Sequence, residues 1–263
     1  MTQPDPRIVA RLRAAGCVFA EEEARLLIEA SGSPEELDDL VSRRVAGEPL
    51  EPLLGWVEFC GLRLQVDPGV FVPRRRTELL ARRAAEFAAA AVETSGTAVV
   101  VDLCCGVGAI GAVVADRVPA AEVVASDLDP VAVACARRNL PGGRVFAGDL
   151  FSALPSELRG RVDVLAVNAP YVPTDAIALM PPEARDHEPG MALDGGADGL
   201  DIHRRIAAEA GGWLAPGGVL LIEAGEEQAA VSAALFGAAG LRPRIESDDD
   251  LGATVVVASA PSA

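Results

Sequence analysis

Apolar residues in the first fifty positions recur at helical spacing. They form three stripes, which comprise Ile8, Val9 and Leu12, then Ala24, Leu27 and Ile28, and finally Leu37, Leu40, Val41 and Val45. Ser33 and Pro34 precede the third stripe and have the composition of a helix start. The pattern predicts three short helices over residues 1–52. Because three short helices bury little surface alone, we expect a small lobe that packs on another body or binds one.

The next segment, residues 53–76, changes to a pattern that is typical of strands. Apolar and polar residues alternate over 58–66 around Gly61, which predicts a β-hairpin. Asp67, Pro68 and Gly69 follow as a turn. We interpret this segment as a linker between the helical lobe and the rest of the chain.

From residue 77 onward, helical and strand patterns alternate regularly. Helices are predicted over about 77–92, 130–139, 199–213 and 226–238, and strands near 99–101, 122–127, 144–147, 162–167, 218–223, 242–248 and 253–259. Only a short turn ending at Gly252 separates the last two strands, so they form an antiparallel hairpin. The pattern predicts an α/β fold: a doubly wound, mostly parallel seven-stranded sheet with an antiparallel terminal hairpin. The chain end, residues 258–263, is expected to fray.

Composition and charge narrow the class of protein. No apolar run reaches about eighteen residues, and residues 1–13 lack the apolar stretch of a signal peptide. We therefore expect a cytoplasmic protein without membrane contact. The five cysteines form no CxxC pair, so neither a disulfide framework nor a metal site is expected. The formal net charge of −16 argues against direct nucleic-acid binding, which rests largely on attraction between cations and phosphates.

A glycine-rich loop follows the first buried strand. Asp102 ends that strand, Gly106 and Gly108 follow, and a helix begins soon after. Glycines let the backbone approach a ligand closely, and the helix N-terminus offers free N–H groups. Asp127, about twenty residues further on, can bond the hydroxyls of a ribose. These features predict a nucleoside-containing cofactor, for which both NAD and S-adenosylmethionine fit.

Three features favour S-adenosylmethionine. Asp102 precedes the glycines, where a carboxylate suits a ligand that carries an ammonium group rather than a pyrophosphate. Asp149 follows the third strand, where it can accept a hydrogen bond from an adenine amine while Leu150 or its neighbour packs on the ring. The terminal antiparallel hairpin is unusual for dinucleotide-binding folds. Asp129, followed by Pro130, is assigned to capping a helix rather than to ribose binding. The predicted cofactor site comprises Asp102, Cys104, Gly106, Gly108, Asp127, Leu128, Asp149, Leu150 and Asn168.

The fourth strand leads into a tetrapeptide, Asn168, Ala169, Pro170 and Tyr171. The carboxyl ends of the strands of an open α/β sheet share one crevice, so the tetrapeptide faces the glycine loop. The Asn168 side-chain carbonyl and a main-chain carbonyl can accept both N–H bonds of a planar NH₂ group, which aims the nitrogen lone pair at a methyl donor. They also stabilise the positive charge that forms on nitrogen. The four residues are predicted to be catalytic, with Tyr171 stacked on a planar substrate group.

At these residues the chain resembles the HemK/PrmC family, the protein-(glutamine-N5) methyltransferases that act on peptide-chain release factors. The likeness covers about residues 50–228. It is carried by Leu54-Gly55, Phe59, Gly61-Leu62, 70–74, Thr77-Glu78, Glu188-Pro189, 192–196, 198–200, Glu223, Gly225 and Gln228.

The resemblance implies a class I methyltransferase with S-adenosylmethionine as donor and the glutamine of a Gly-Gly-Gln motif as acceptor. Residues 1–52 are then a helical substrate-recognition domain, 53–76 a β-hairpin linker and 77–263 the methyltransferase domain. Asn168 and the main-chain carbonyl at position 169 hold the amide nitrogen. The expected partner is a protein, a release factor, and the expected state is a monomer. The implied substrate-binding residues are Arg74, Thr77, Glu78, Asn168 and Tyr171.

The chain departs from the family pattern in two places. Position 169 is alanine where the family has proline, which removes a fixed φ angle but keeps the carbonyl. Arg75 and Arg76 replace the usual Pro-Asp, so that three arginines either serve an acidic or ribosome-associated partner or lie solvated at the junction of the lobes.

Other interpretations stay open at this point. The acceptor can be the exocyclic amine of a nucleic acid or a small molecule, and a cofactor-binding protein without catalysis is a further alternative. The loop 173–197 is predicted to be a lid or substrate clamp, and its His187 is a conceivable general base.

Overall fold

The computed structural model describes residues 4–262, so the parts of the terminal predictions that fall on residues 1–3 and 263 lie outside the described residues. Within 4–262 the chain begins with a lobe of four helices rather than the predicted three: α1 (Pro6–Ala14), α2 (Ala20–Ala30), α3 (Pro34–Val45) and α4 (Leu50–Leu54). Ser33 caps α3 as predicted and accepts a hydrogen bond from the Glu36 amide at 3.1 Å. The sequence missed α4 because five residues that include a proline carry no helical period.

The lobe has its own apolar core. Leu12, Leu27 and Val41 from the first three helices are fully buried, and α4 adds Leu53 to the same cluster. The lobe therefore continues past residue 52, where the sequence had placed its end, and stops at Gly55, which takes the left-handed conformation with a φ of 77°.

The predicted hairpin forms and is fastened to the second part of the chain. It consists of β1 (Trp56–Phe59) and β2 (Leu62–Gln65), which pair in antiparallel fashion. Asn139 accepts a hydrogen bond from the Gln65 amide at 2.8 Å and donates one to the Val107 carbonyl at 2.9 Å. The hairpin is thus joined through one side chain to the glycine-rich loop.

The remaining residues form the predicted seven-stranded sheet. Its strands are β3 (Ala98–Leu103), β4 (Ala121–Asp127), β5 (Arg144–Ala147), β6 (Val162–Val167), β7 (Leu214–Glu223), β8 (Arg242–Asp248) and β9 (Ala253–Ser259). Within the described chain their order is β5-β4-β3-β6-β7-β9-β8, with the first five parallel and β9 antiparallel to both neighbours. This is the fold class that the sequence predicts.

Helices cover both faces of the sheet. They are α5 (Glu78–Ser95), α6 (Ala109–Arg117), α7 (Pro130–Asn139), α8 (Pro182–His187), α9 (Asp201–Glu209) and α10 (Glu226–Ala238). In β3, Val100 packs with the cluster that contains α5, α6 and α7, whereas Val99 and Val101 pack with the cluster that contains α9 and α10. Successive side chains of β3 point into two different cores, so both faces of the strand must be apolar.

Several bounds differ from the predictions. The predicted strand at 218 begins at Leu214, and the predicted helix over 199–213 ends at Glu209. The chain end does not fray at Ala260, whose amide donates to the Gly218 carbonyl at 2.8 Å and continues the pairing of β7 with β9. In the part of the chain that the structure describes, no helix is long and apolar enough to cross a membrane.

Candidate active site

A cavity of about 440 Å³ opens at the carboxyl ends of β3, β4 and β6. The parallel sheet changes winding direction between β4 and β6, which flank β3, and such a switch point leaves a crevice that helices do not fill. The cavity brings together most of the predicted site residues: Cys104, Gly106, Asp127, Leu128, Asp149, Leu150, Asn168, Ala169, Pro170, Tyr171, Arg74 and Thr77. Asp102, Gly108 and Glu78 do not line it.

Asp127 binds the backbone of the glycine-rich loop. Its carboxylate accepts hydrogen bonds from the Gly106 amide at 2.8 Å and the Asp129 amide at 2.9 Å. Burial raises the pKa of this carboxyl, and the two amide donors oppose that rise. Asp129 caps α7 as predicted, because its own carboxylate accepts from the Val131 amide at 2.8 Å. Asp127 therefore binds the glycine-rich loop, whereas Asp129 caps α7.

Asp102 requires a correction. The sequence placed it against a charged group of the cofactor, but its side chain is buried beneath the loop, where one carboxylate oxygen accepts from the Gly111 amide at 2.8 Å. Gly111 lies in the first turn of α6, where the helix leaves its amides without internal partners. Burial raises the pKa of Asp102 to about 8. From this position Asp102 holds the loop and the helix N-terminus in place without reaching the cavity.

Gly108 also acts from outside the cavity. It takes a φ of 78°, and a Cβ at this position would lie 3.0 Å from the Leu140 side chain. The glycine is therefore required for packing of the loop on α7, not for contact with a ligand. Cys104 and Leu150 line the cavity with left-handed φ angles of 58° and 47°. Such strain in residues other than glycine is common at binding sites and is not visible in the sequence.

Asn168 is oriented by Thr77, the residue that precedes α5. Its Nδ2 donates to the Thr77 hydroxyl oxygen at 3.3 Å, and Thr77 is itself buried. Because the amide nitrogen is engaged, the Oδ1 atom is left as the acceptor for a ligand. Ala169, which follows, is buried. The tetrapeptide is thus positioned by packing even where the family proline is absent.

Tyr171 belongs to a polar network around the buried carboxylate of Glu223, which the sequence analysis did not foresee. Its hydroxyl donates to Glu223 Oε1 at 2.9 Å, and Arg76 Nε donates to the same oxygen at 3.1 Å. The guanidinium carbon of Arg76 lies 5.8 Å from the centre of the tyrosine ring. Burial raises the pKa of Tyr171, so the phenol stays protonated and acts as a donor. Arg76 therefore lines the cavity, and its side chain stays accessible to solvent.

The predicted lid, residues 173–197, is ordered around α8. Glu183, near the N-terminal end of α8, accepts from Arg44 Nη1 at 2.6 Å, and Glu188, which follows the helix, accepts from Arg74 Nη2 at 2.5 Å. Arg44 lies in the helical lobe, so the lobe and the lid form one wall with the sheet. His187 does not line the cavity, which gives no support to its interpretation as a general base.

Two of these carboxylates, Glu188 and Glu223, were quoted in the sequence only as parts of motifs. Both have side chains that are 2% exposed and paired with an arginine of the linker. Glu223 ends β7, so its place at the carboxyl edge of the sheet was the signal that could have found it.

In sequence, the chain is similar to known methyltransferases. The chain matches the family model of the methyltransferase small domain over residues 62–180. It is 40% identical over 232 residues to the release factor glutamine methyltransferase of Geobacter sulfurreducens, covering 86% of this chain and 78% of the relative. It is also 42% identical over 203 residues to the 4-amino-L-phenylalanine/4-methylamino-L-phenylalanine methyltransferase of Streptomyces pristinaespiralis, covering 76% of this chain and 69% of the relative.

The structure is also similar to solved methyltransferases. A methyltransferase from Pyrococcus furiosus superposes with a TM-score of 0.55 at 16% identity, covering 77% of this chain and 91% of the other. That likeness concerns the fold alone. The family follows from the sequence relatives together with the cavity between the glycine loop and the tetrapeptide: the chain belongs to the HemK/PrmC family of release factor glutamine methyltransferases, enzymes whose methyl donor is S-adenosylmethionine.

Proposed function

We propose that the protein transfers a methyl group from S-adenosylmethionine to the side-chain amide nitrogen of a glutamine, in the Gly-Gly-Gln motif of a peptide-chain release factor. The observation that carries the proposal is the orientation of Asn168. Its Nδ2 donates to Thr77, which leaves Oδ1 as an acceptor, and Asn168 lines the same cavity as the glycine loop. Relatives named for this activity support the choice of acceptor.

The donor fits the half of the cavity that the glycine loop forms. Asp127 offers a carboxylate to the ribose hydroxyls, and Asp149 and Leu150 offer an acceptor and an apolar surface to the adenine. Asp149 also pairs with Arg205 at 2.6 Å, which fixes its direction. When bound there, S-adenosylmethionine supplies an electrophilic methyl group.

The chain's own residues position the acceptor. The Oδ1 of Asn168 and the main-chain carbonyl of Ala169 accept the two N–H bonds of the amide, which orients the nitrogen lone pair and offsets the positive charge that forms on it. The Tyr171 ring, fixed by Glu223, covers the planar amide group. Positioning and electrostatics thus carry the reaction, and no general base is required.

We propose further that residues 1–52 recognise the protein substrate. We also propose that the protein acts as a monomer. The lobe reaches the lid through Arg44 and Glu183, so contacts made on the lobe are transmitted to the cavity. A release factor as substrate also implies that the protein acts in the cytoplasm.

The test is methylation of a purified release factor that carries an unmethylated Gly-Gly-Gln loop. The protein is incubated with methyl-labelled S-adenosylmethionine, and mass spectrometry of the digest locates the label. We expect the label on the glutamine, and its loss in an Asn168→Ala variant that still binds the donor by calorimetry. Donor binding without transfer to the release factor would contradict the acceptor assignment and leave the fold and the donor intact.

A second candidate acceptor is the amine of an aromatic amino acid. The relative from Streptomyces pristinaespiralis is named for this chemistry and is as similar to this chain as the release factor enzymes are. Incubation with 4-amino-L-phenylalanine in place of the release factor, with the same Asn168→Ala control, decides between the two.

A further inference from the structure

Among residues 4–262, three arginines line the cavity, and Arg76 differs from the other two in how its guanidinium is used. Arg74 and Arg205 each donate from Nη2 to a carboxylate, at 2.5 Å and 2.6 Å. Arg76 donates from Nε to Glu223 at 3.1 Å, and neither of its terminal nitrogens forms a hydrogen bond with the described residues. The N–H groups on those two nitrogens are left for a ligand.

The guanidinium of Arg76 lies in the acceptor half of the cavity. Its neighbour in the chain, Thr77, accepts the hydrogen bond from Asn168 at 3.3 Å, and its own Cζ atom lies 5.8 Å from the centre of the Tyr171 ring. Arg205, in contrast, pairs with Asp149 in the donor half. A group bound by Arg76 therefore lies in the same half of the cavity as the nitrogen that receives the methyl group.

Arg76 is both anchored and accessible. The side chain of Glu223, its partner, is 2% exposed, whereas that of Arg76 is 44% exposed. A guanidinium fixed at Nε presents its terminal nitrogens as a planar fork, which matches the two oxygens of a carboxylate. Glu223 also offsets the charge of Arg76, so that the cation opposes less strongly the positive charge that forms on the acceptor nitrogen.

We propose that Arg76 forms a carboxylate subsite in the acceptor half of the cavity, and that a free amino acid whose side chain ends in an NH₂ group is a further acceptor. The α-carboxylate bonds the terminal nitrogens of Arg76 while Asn168 and the carbonyl of Ala169 hold the side-chain NH₂ group. The inference rests on the methyl-transfer chemistry proposed above but not on a protein acceptor.

The transfer step balances without a further reactant. The lone pair of the acceptor nitrogen forms the new N–C bond as the S–C bond of the donor breaks, with that electron pair staying on sulfur. A proton from the nitrogen then passes to water, which leaves a neutral methylated amine or amide and S-adenosylhomocysteine.

The experiment compares acceptors that differ only in the carboxylate. The probes are 4-amino-L-phenylalanine and L-glutamine, each beside its α-carboxamide, and kcat/KM is measured for wild type, Arg76→Gln, Arg76→Lys and Arg75→Gln. For wild type we expect the acid to be preferred over the carboxamide by about tenfold or more. The preference should vanish in Arg76→Gln, be intermediate in Arg76→Lys, and persist in Arg75→Gln, because Arg75 is exposed and outside the cavity wall.

The outcomes separate this inference from the proposed function. Equal rates for acid and carboxamide, or a preference that survives Arg76→Gln, overturn the subsite. A release factor that is methylated while both amino acids are refused overturns the further acceptor and keeps the proposed function. The donor also carries a carboxylate, so calorimetry with S-adenosylmethionine is run on each variant. Weaker donor binding in Arg76→Gln with an unchanged preference for the acid assigns the subsite to the donor and refutes the inference.

Discussion

At the scale of single residues, the site depends on a few polar atoms with more than one partner. One oxygen of Glu223 accepts from both Tyr171 and Arg76, while its other oxygen is buried without a partner in the described chain. A buried carboxylate in this state is stable only while its donors stay in place. Tyr171 is therefore held at its hydroxyl, and Arg76 lies over its ring.

Replacement of Tyr171 by phenylalanine tests that interaction. The ring stays but the hydrogen bond to Glu223 is lost, so the ring is less well fixed and one donor to a buried carboxylate disappears. We expect kcat/KM for the acceptor to fall about tenfold, while the dissociation constant of S-adenosylmethionine changes little. Steady-state kinetics and calorimetry measure the two quantities. An unchanged kcat/KM would show that Glu223 does not position the ring.

At the scale of the elements, α9 and α10 are joined by a buried histidine. His203 has no exposed surface, and its Nδ1 lies 2.7 Å from the Ser232 hydroxyl of α10. Burial lowers the pKa of His203 from 6.5 to about 4. Since protons then bind more readily to the unfolded chain, this residue favours the folded state fully above pH 6.5 and progressively less as the pH falls toward 4.

The expected result is a loss of stability in acid that depends on His203. The free energy of unfolding should fall by up to about 3 kcal/mol from this group between neutral pH and pH 4, as measured by urea unfolding at several pH values. A His203→Gln variant should lack this part of the slope. His187→Gln is the matched control, because His187 is the other histidine of the chain and is exposed at the end of α8.

The elements were predicted from the sequence far better than the contacts between them. The seven strands and their places along the chain follow from apolar runs and turn residues. The cofactor loop follows from its glycines. The ordered lid does not, because α8 has six residues and no apolar period. The pairs Arg74–Glu188 and Arg76–Glu223 span 114 and 147 residues. Only the fold brings such residues together, so local sequence patterns do not predict these pairs.

At the scale of the whole molecule, an ion pair joins the helical lobe to the lid. Arg44 is buried in the lobe, where it donates to Glu23 at 2.7 Å, and it reaches Glu183 at 2.6 Å. This contact therefore joins the helical lobe to Glu183, which lines the cavity. Residues far from the methyl group can in this way affect how the acceptor is held.

Replacement of Glu183 by glutamine weakens that contact without removing a buried group, because the Glu183 side chain is half-exposed. We expect KM for the protein acceptor to rise about three- to tenfold with kcat and thermal stability nearly unchanged. Asp186→Asn is the matched control, since Asp186 is on the same helix but, among residues 4–262, pairs only with its neighbour Arg185. Equal KM values for the two variants would rule out coupling between lobe and cavity.

The single tyrosine of the chain is the one in the tetrapeptide. Incorporation of fluorotyrosine therefore labels the acceptor half of the cavity and nothing else, and a fluorine NMR spectrum contains one protein resonance. Its chemical shift reports on the ring, on the hydroxyl that meets Glu223 and on the cation beside it. A titration with the donor, and then with each acceptor, can follow the filling of the site directly, without turnover.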